Sequence, residues 1–370
     1  MSELAENTAR SARDNRAGGW VIVGVCLAIV SLSVYYACKG VLSPRIGDTR
    51  VNGTPRPVEF LFGHDWIFTI QCGTALAMAA LVAFCIVVWR RQPGHPNVLM
   101  AMASTAIVWL DPIMNWTTYA AYNPQLWHLP EDWPLVSMSP TVEPFIVVAY
   151  AFFFYGPYFP AAWVLRRMQA KRPMNHFVWR RPLVSLAGLI VLFGLTLDIF
   201  LEVSSVRTGT YIYTQAIPWG TVFAGTTFQF ALIWQSALIT IVMIPAGVLC
   251  YRDDTGCTVA EKLSQRLDLL RTRSVLATFL VMFGFMNAAY FTYGVAFTAI
   301  RASGIATSVA CPWPYPEAKV YDPQGYYEKQ GQPGAYAAGK WSTWMSGQPD
   351  GRPALNPLNQ SANCVPKSKS

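Results

Sequence analysis

The sequence predicts an all-α bundle of about seven membrane-crossing helices, followed by a loop-rich tail. Three observations carry that expectation. Charged residues make up 13% of the 370-residue chain and hydrophobic ones 53%, about half the charged share usual for a soluble domain. The apolar residues gather into seven stretches, each about long enough to cross a ~30 Å hydrocarbon core. The 14 Trp, 17 Tyr and 20 Phe fit aromatic belts at two membrane interfaces. A formal charge of +8 raises the question of nucleic acid. The basic residues fall between the apolar stretches with no recognition motif among them, so they are read as topology signals and no nucleic-acid partner is expected.

The elements follow in order. Residues 1–19 form a polar tail with Arg10, Arg13 and Arg16. No short apolar segment with a small-residue cleavage site follows, so no removed signal peptide is expected. The first span, about Trp20 to Cys38, is free of charge and reads as an anchor. A Pro/Gly-punctuated loop then ends in Phe62-Gly-His-Asp-Trp66, where His64 and Asp65 suit the positive end of a helix dipole. The second span, about Trp66 to Trp89, stops at Arg90-Arg91, and the third runs from about Asn97 to Tyr119. The loop from Tyr122 to Pro140 has no Lys or Arg.

The fourth span is expected over about Thr141 to Leu165, with Phe152–Tyr155 as lipid-facing or core aromatics. Six basic residues follow: Arg166, Arg167, Lys171, Arg172, Arg180 and Arg181. The fifth span covers about Leu183 to Val203. The sixth, about Trp219 to Cys250, is longer than a bilayer needs and is expected to tilt or project. An amphipathic charged connection leads to the seventh span, about Ser274 to Ile300. Residues 301–370 lack periodicity and read as loop or disorder, a third region beside the tail at 1–19 and the membrane domain at 20–300.

Orientation comes from the connections. The N-terminal tail and the connections after spans two, four and six carry 16 Lys or Arg; those after spans one, three and five carry 5. The positive-inside rule then gives a cytoplasmic N-terminus and an external C-terminal tail, in a multi-pass protein of the cell membrane. Cys311 and Cys364 of that tail are expected to pair, since that compartment permits disulfides. The eight cysteines include no C-x-x-C and the four His are scattered, so no metal site and no cofactor is expected. No internal repeat is visible, against a transporter built from repeated halves.

With that topology the polar residues sort to one leaflet. Asp111 and Asn115 are four apart, on one helix face, in the outer half of span three. Glu143 lies just inside the outer end of span four, and Asp198 and Glu202 near the outer end of span five. A carboxylate at such depth is costly unless it lines a protein interior or a wet cavity, which makes it a site candidate. The alternative for Asp111 and Asn115 is a hydrogen bond pinning two helices; for Glu143-Pro144 it is a helix-entry motif. Asp198 and Glu202 repel if both ionise, so stability alone disfavours that pair. Paired carboxyls of unequal proton affinity allow one to donate a proton while another accepts.

Such a cluster suits acid-catalysed chemistry on a hydrophobic substrate, whose cationic intermediate carboxylates and aromatic faces stabilise. Trp116, Tyr119, Tyr122, Tyr290 and Tyr293 are candidate walls, with Asn115, Gln229 and Asn287 as polar substrate contacts. Gln229 and Gln235 also read as helix glue. No Ser-His pair at recognisable spacing and no Gly-rich phosphate loop is present. An Asp-x-x-x-Glu pair holding Mg²⁺ for a diphosphate lacks the cationic partners it needs at that depth.

The pattern Asp111-Pro112, Asn115-Trp116, Tyr119, Tyr122-Asn123-Pro124, then Pro140-x-x-Glu143-Pro144, resembles the AveC-like spirocyclase family of bacterial membrane proteins. The resemblance covers roughly residues 20–300 and not the tail. It implies spiroketal closure of a polyketide, in which hydroxyl groups add to a ketone with loss of water through an oxocarbenium-like state. It carries over no assigned catalytic residue. The resulting expectation is a cyclase or dehydrating cyclase for a hydrophobic, polyketide- or lipid-like substrate. Asp198 or Glu202 is the general acid, Asp111 a base or cation stabiliser, and Glu143 a second candidate for either role. Two alternatives stand beside it: a membrane terpene-type cyclase, and a non-enzymatic lipid- or sterol-binding subunit of an envelope transport system.

Overall fold

The computed structural model describes residues 59–310 apart from 119, 124, 130–134, 268–269 and 271–272, together with Pro314 and six positions of the first apolar stretch (Trp20, Gly24, Leu27, Ala28, Ser31 and Tyr35). The anchoring role of the first span, the Cys311–Cys364 pair and the tail beyond residue 310, Pro314 apart, fall outside the described residues; the start of the tail, 301–310, corrects the loop expectation, since it ends the last helix and adds a short strand.

Helix α1 spans Trp66–Arg91, with Asp65 as its N-cap accepting from the Phe68 amide. Helix α2, Pro96–Ala106, starts on a His95 cap with proline in its first turn. It continues through a 3₁₀ turn, Ile107–Leu110, into α3, Asp111–Thr118. The tightening has a local cause. Pro112 brings no amide hydrogen, and its ring excludes the carbonyl four residues back. That carbonyl, of Val108, is taken instead by the Asp111 amide. The fourth crossing is irregular for the same reason. A 3₁₀ turn, Phe145–Ala149, and a π turn, Ala151–Tyr155, precede α4, Tyr158–Ala170, and Pro157 stands where a regular helix would bond back to Phe153.

A short α5, Phe177–Arg180, leads to α6, Pro182–Arg207. Helix α7, Leu232–Val248, and the amphipathic α8, Val259–Arg266, precede α9, Ser274–Ala302. Among the described residues, five segments are long and apolar enough to cross a membrane: Trp66–Arg91, Pro96–Thr118, Phe145–Ala170, Pro182–Arg207 and Ser274–Ala302. They match the expected second, third, fourth, fifth and seventh spans.

The sixth span corrects the expectation. Its helix has 17 residues, so no overlong tilted helix runs from Trp219. Gly220 and Gly225 sit at φ +77° and +81°, a conformation closed to helix and strand. Residues 219–231 turn back on themselves, with Val222 bridging Phe230.

Helix α9 is the central post. It packs on α2, α3, α7 and α8, while α6 packs on α4 and α7. The buried side chains Val281, Met286, Tyr290, Tyr293 and Phe297 recur along it every three to five residues, the spacing of one helical face. Gly294 permits the crossing with α3, since a Cβ there would lie 2.5 Å from Met114 Sδ. Helix α1 is peripheral. Gln71 is its one buried residue, and Leu76, Phe84 and Val87 are exposed.

Two small antiparallel ladders, not expected in an all-α chain, close one end of the bundle. Strand β1, Ala120–Tyr122, pairs with β2, Tyr211–Tyr213, and β3, Gln215–Ala216, with β4, Ser308–Val309. They follow α3, α6 and α9, so the three helices end together. The start of α1 is there too, because the Phe60 ring fits against Gly209, where a Cβ would lie 2.7 Å from it.

Candidate functional site

Beneath that end lies a cavity of about 500 Å³, within the range of small-molecule pockets. Each wall has a source in the fold. Helix α1 contributes Ile70, Gly73, Thr74 and Ala77, one face at helical spacing. The irregular fourth crossing contributes Tyr150, Phe153 and Phe154, held there because the 3₁₀ and π turns break its helical face. Tyr290 and Tyr293 come from α9, Gln235 from α7, and Asn115 from α3. Glu202 on α6 and Tyr211 and Tyr213 on β2 complete the ladder side.

Two carboxyl centres serve this space. Behind Tyr290, Asp111 and Glu143 press their carboxyl groups together, Asp111 fully buried and Glu143 nearly so. Asp111 accepts on both oxygens: Tyr290 Oη–H donates to Oδ1 at 2.9 Å and the Asn115 amide to Oδ2 at 2.6 Å. Ser139 Oγ–H donates to Glu143 Oε2 at 2.6 Å, while Glu143 Oε1 finds no hydrogen-bond donor. Two carboxyls in contact away from water hold at least one proton between them. Asp111 has both oxygens engaged as acceptors, so the geometry puts that proton on Glu143 Oε1.

The second centre is Glu202. Tyr213 Oη–H donates to its Oε2 at 2.7 Å, and Tyr211 Oη–H donates to the same oxygen. Burial first, and then the Glu202 charge, hold both phenols well above the usual tyrosine range, so they remain donors. That leaves Oε1 as the oxygen of Glu202 free for the cavity it lines. Asp198, one turn earlier on α6, is fully buried and neither of its oxygens has a hydrogen-bond partner; Ser236 is the polar side chain that faces it. Tyr122 stands between the centres, its phenol pushed well up by burial first and then by the Asp111 carboxylate. Among the described residues no cluster of His, Cys, Asp or Glu is placed to hold a metal ion.

Of the residues singled out from sequence, Asn115, Tyr122, Glu202, Tyr290 and Tyr293 line the cavity. Asp111, Glu143 and Asp198 stand behind that first layer of side chains. Three others are elsewhere. Trp116 is buried under the Arg301 guanidinium, 4.2 Å from its ring. Asn287 accepts from Trp109 Nε1 at 2.8 Å and donates to the Phe283 carbonyl, joining α2's continuation to α9. Gln229 is not on a helix. Its amide nitrogen bonds the Tyr213, Thr214 and Ser308 carbonyls and its oxygen accepts from Gly225 N and Ser308 Oγ, clasping both ladders. Tyr119 lies outside the described residues. Sequence reasoning passed over Tyr150, Tyr211 and Tyr213 as site residues. Tyr211-Ile-Tyr213 carries a signal, since alternation puts both phenols on one face of a strand; Tyr150 carries none.

A model of the family described as Spirocyclase AveC-like matches residues 89–321, which takes in both carboxyl centres and leaves nearly all of α1 outside. No curated protein and no solved structure matches the chain. The matched region is more than half of the sequence and contains every carboxylate at the cavity, and on that footing the chain belongs to the AveC-like spirocyclase family.

Proposed function

We propose that the chain is a multi-pass membrane cyclase, N-terminus cytoplasmic, that closes an oxygen ring on a hydrophobic polyketide- or lipid-like hydroxy-ketone by acid catalysis. The observation that carries this reading is Glu202 Oε1, open to an aromatic-lined cavity while two phenols hold the other oxygen. As the general acid, Glu202 protonates the hydroxyl of a hemiketal and releases it as water. The faces of Tyr290 and Tyr293, stacked with centroids 5.8 Å apart, stabilise the oxocarbenium ion by their π-density. Asp111 balances that charge and takes the proton of the closing hydroxyl. Asp198 reaches no substrate from its buried position and ranks behind Glu202 as the acid.

The test pairs activity with stability. Glu202→Gln and Asp111→Asn keep side-chain size and remove proton chemistry, which contributes ~10²–10⁴-fold to rate. Conversion of a surrogate dihydroxy-ketone by the purified protein should fall by about that factor, with an unchanged or raised melting temperature, because Glu202→Gln keeps an acceptor oxygen for both phenols and Asp111→Asn removes a buried charge. Full conversion by both variants would reject the reading and favour a lipid-binding subunit.

A further inference from the structure

The Asp111–Glu143 pair does not border the cavity, so a base located there needs a way to reach a substrate. Tyr290 supplies the first link through its 2.9 Å bond to Asp111 Oδ1. The second link is Tyr150, whose hydroxyl lies 3.1 Å from that of Tyr290. Direction follows from counting hydrogens. Tyr290 has one hydroxyl proton and commits it to Asp111. Tyr150 is therefore the donor to Tyr290. Its own oxygen keeps an unspent lone pair, for among the described residues it accepts no hydrogen bond. Both rings line the cavity. Tyr150 is fixed edge-on to Phe154 and to Tyr290, with centroids 4.8 Å and 6.0 Å away.

We propose that Tyr150 and Tyr290 form a proton relay from the cavity to Asp111, with Tyr150 Oη as the atom that accepts the proton of the substrate's closing hydroxyl. The relay rests on the cyclase reading above and adds to it the group that touches the nucleophile. In the closing step the hydroxyl oxygen forms its C–O bond to the oxocarbenium carbon with its own lone pair. Its proton passes to Tyr150 Oη, the Tyr150 proton to Tyr290 Oη, and the Tyr290 proton to Asp111 Oδ1. Glu202 has already given its proton to the hydroxyl that left as water. The proton on Asp111 returns through the same two tyrosines and the released water to Glu202, so both carboxyls end as they began. Glu143 stays protonated throughout, and its Oε1–H holds Asp111 as the anion between turnovers.

The arrangement makes a claim that needs no turnover: the cavity accepts a hydrogen bond at Tyr150 and does not donate one there. The probes are 1-decanol and its methyl ether, bound to the full-length protein in detergent and read by native mass spectrometry. The wild-type protein should hold the alcohol about tenfold more tightly than the ether, the scale of one net hydrogen bond. Tyr150→Phe should abolish that preference. Tyr290→Phe should also erase it, because Tyr150 then has no internal acceptor and its proton can turn to the oxygen of either probe. Equal binding of the two probes by the wild-type protein, or tighter binding of the ether, overturns the relay while leaving the cavity as a ligand site. Binding of neither probe overturns the substrate-site reading itself and the relay with it. The wild-type comparison decides these outcomes even if a variant fails to fold.

Discussion

Glu143 Oε1 meets no donor, and the oxygens of Asp111 against it are both already accepting. A proton shared by that pair has a spectroscopic signature. The carbonyl stretch of a buried carboxylic acid appears in the infrared above the amide band and moves in D₂O. Glu143→Gln should delete one such band, because Tyr290 and the Asn115 amide hold the remaining Asp111 as the anion, and Asp111→Asn should leave it on Glu143. Loss of the band in Asp111→Asn alone would put the proton on the other residue. Gln229 shows the opposite case, a polar side chain fully spent on structure. Gln229→Ala removes the amide that bonds the Tyr213, Thr214 and Ser308 carbonyls and the oxygen that accepts from Gly225 N and Ser308 Oγ, at a cost of about 1–3 kcal/mol per buried group left unpaired. The expected result is a clear drop in melting temperature. At this scale the sequence reveals depth better than duty. The Asp111/Asn115 spacing gives a true hydrogen bond, whereas Gln229 reads as helical because two glycines that break the helix lie inside an otherwise apolar run.

The elements follow their apolar runs closely and depart from them where proline or glycine intervenes. Five of the apolar segments are legible to within a few residues, because each is long and apolar enough to stand out even where proline breaks its regular turns. The ladders are not, since two- and three-residue strands give too short a pattern to stand out from loop. Helix α1 carries a feature that its uniformly apolar run does not reveal. Ile70, Gly73, Thr74 and Ala77 form one face, and that face is the cavity wall. A Cβ on Gly73 would meet nothing within 4 Å, so a larger side chain there grows into the cavity without clashing. Gly73→Leu should keep or raise the melting temperature, since glycine disfavours helix by about 1 kcal/mol. It should also shorten the longest surrogate hydroxy-ketone accepted, as checked across a chain-length series. At the start of α2, the His95 imidazole caps by accepting from Asn97 N, and burial holds its pKa below the usual histidine value. The neutral ring is the folded form, so its contribution is full above the ordinary pKa of ~6.5 and fades as pH falls toward the lowered value. His95→Asn caps without titrating, and should flatten the decline in melting temperature between pH ~7.5 and ~5.5.

For the molecule as a whole, α3, α6 and α9 finish at the end where α1 begins, and the two ladders bind the finishing ends together. That alternation is what a serpentine path requires, and the carboxyl centres sit near that closed end. The proposed orientation places Arg172, in the short connection after α4, on the cytoplasmic side. Arg172→Cys in a cysteine-free background should react with an impermeant thiol reagent only after cells are opened. Labelling of intact cells would turn the bundle over and put the cavity in the other leaflet. The peripheral position of α1 has a consequence for how activity must be measured. In a bilayer, one helix thickness stands between the site and the acyl chains, and that helix is barely packed against anything else. On the membrane reading proposed above, substrate would reach the cavity from the plane of the membrane. The quantity that governs occupancy is its mole fraction among the lipids, not its amount per litre. Rates at fixed total substrate should fall as inert phospholipid or detergent is added. Plotted against surface mole fraction, the same data should collapse onto one saturation curve.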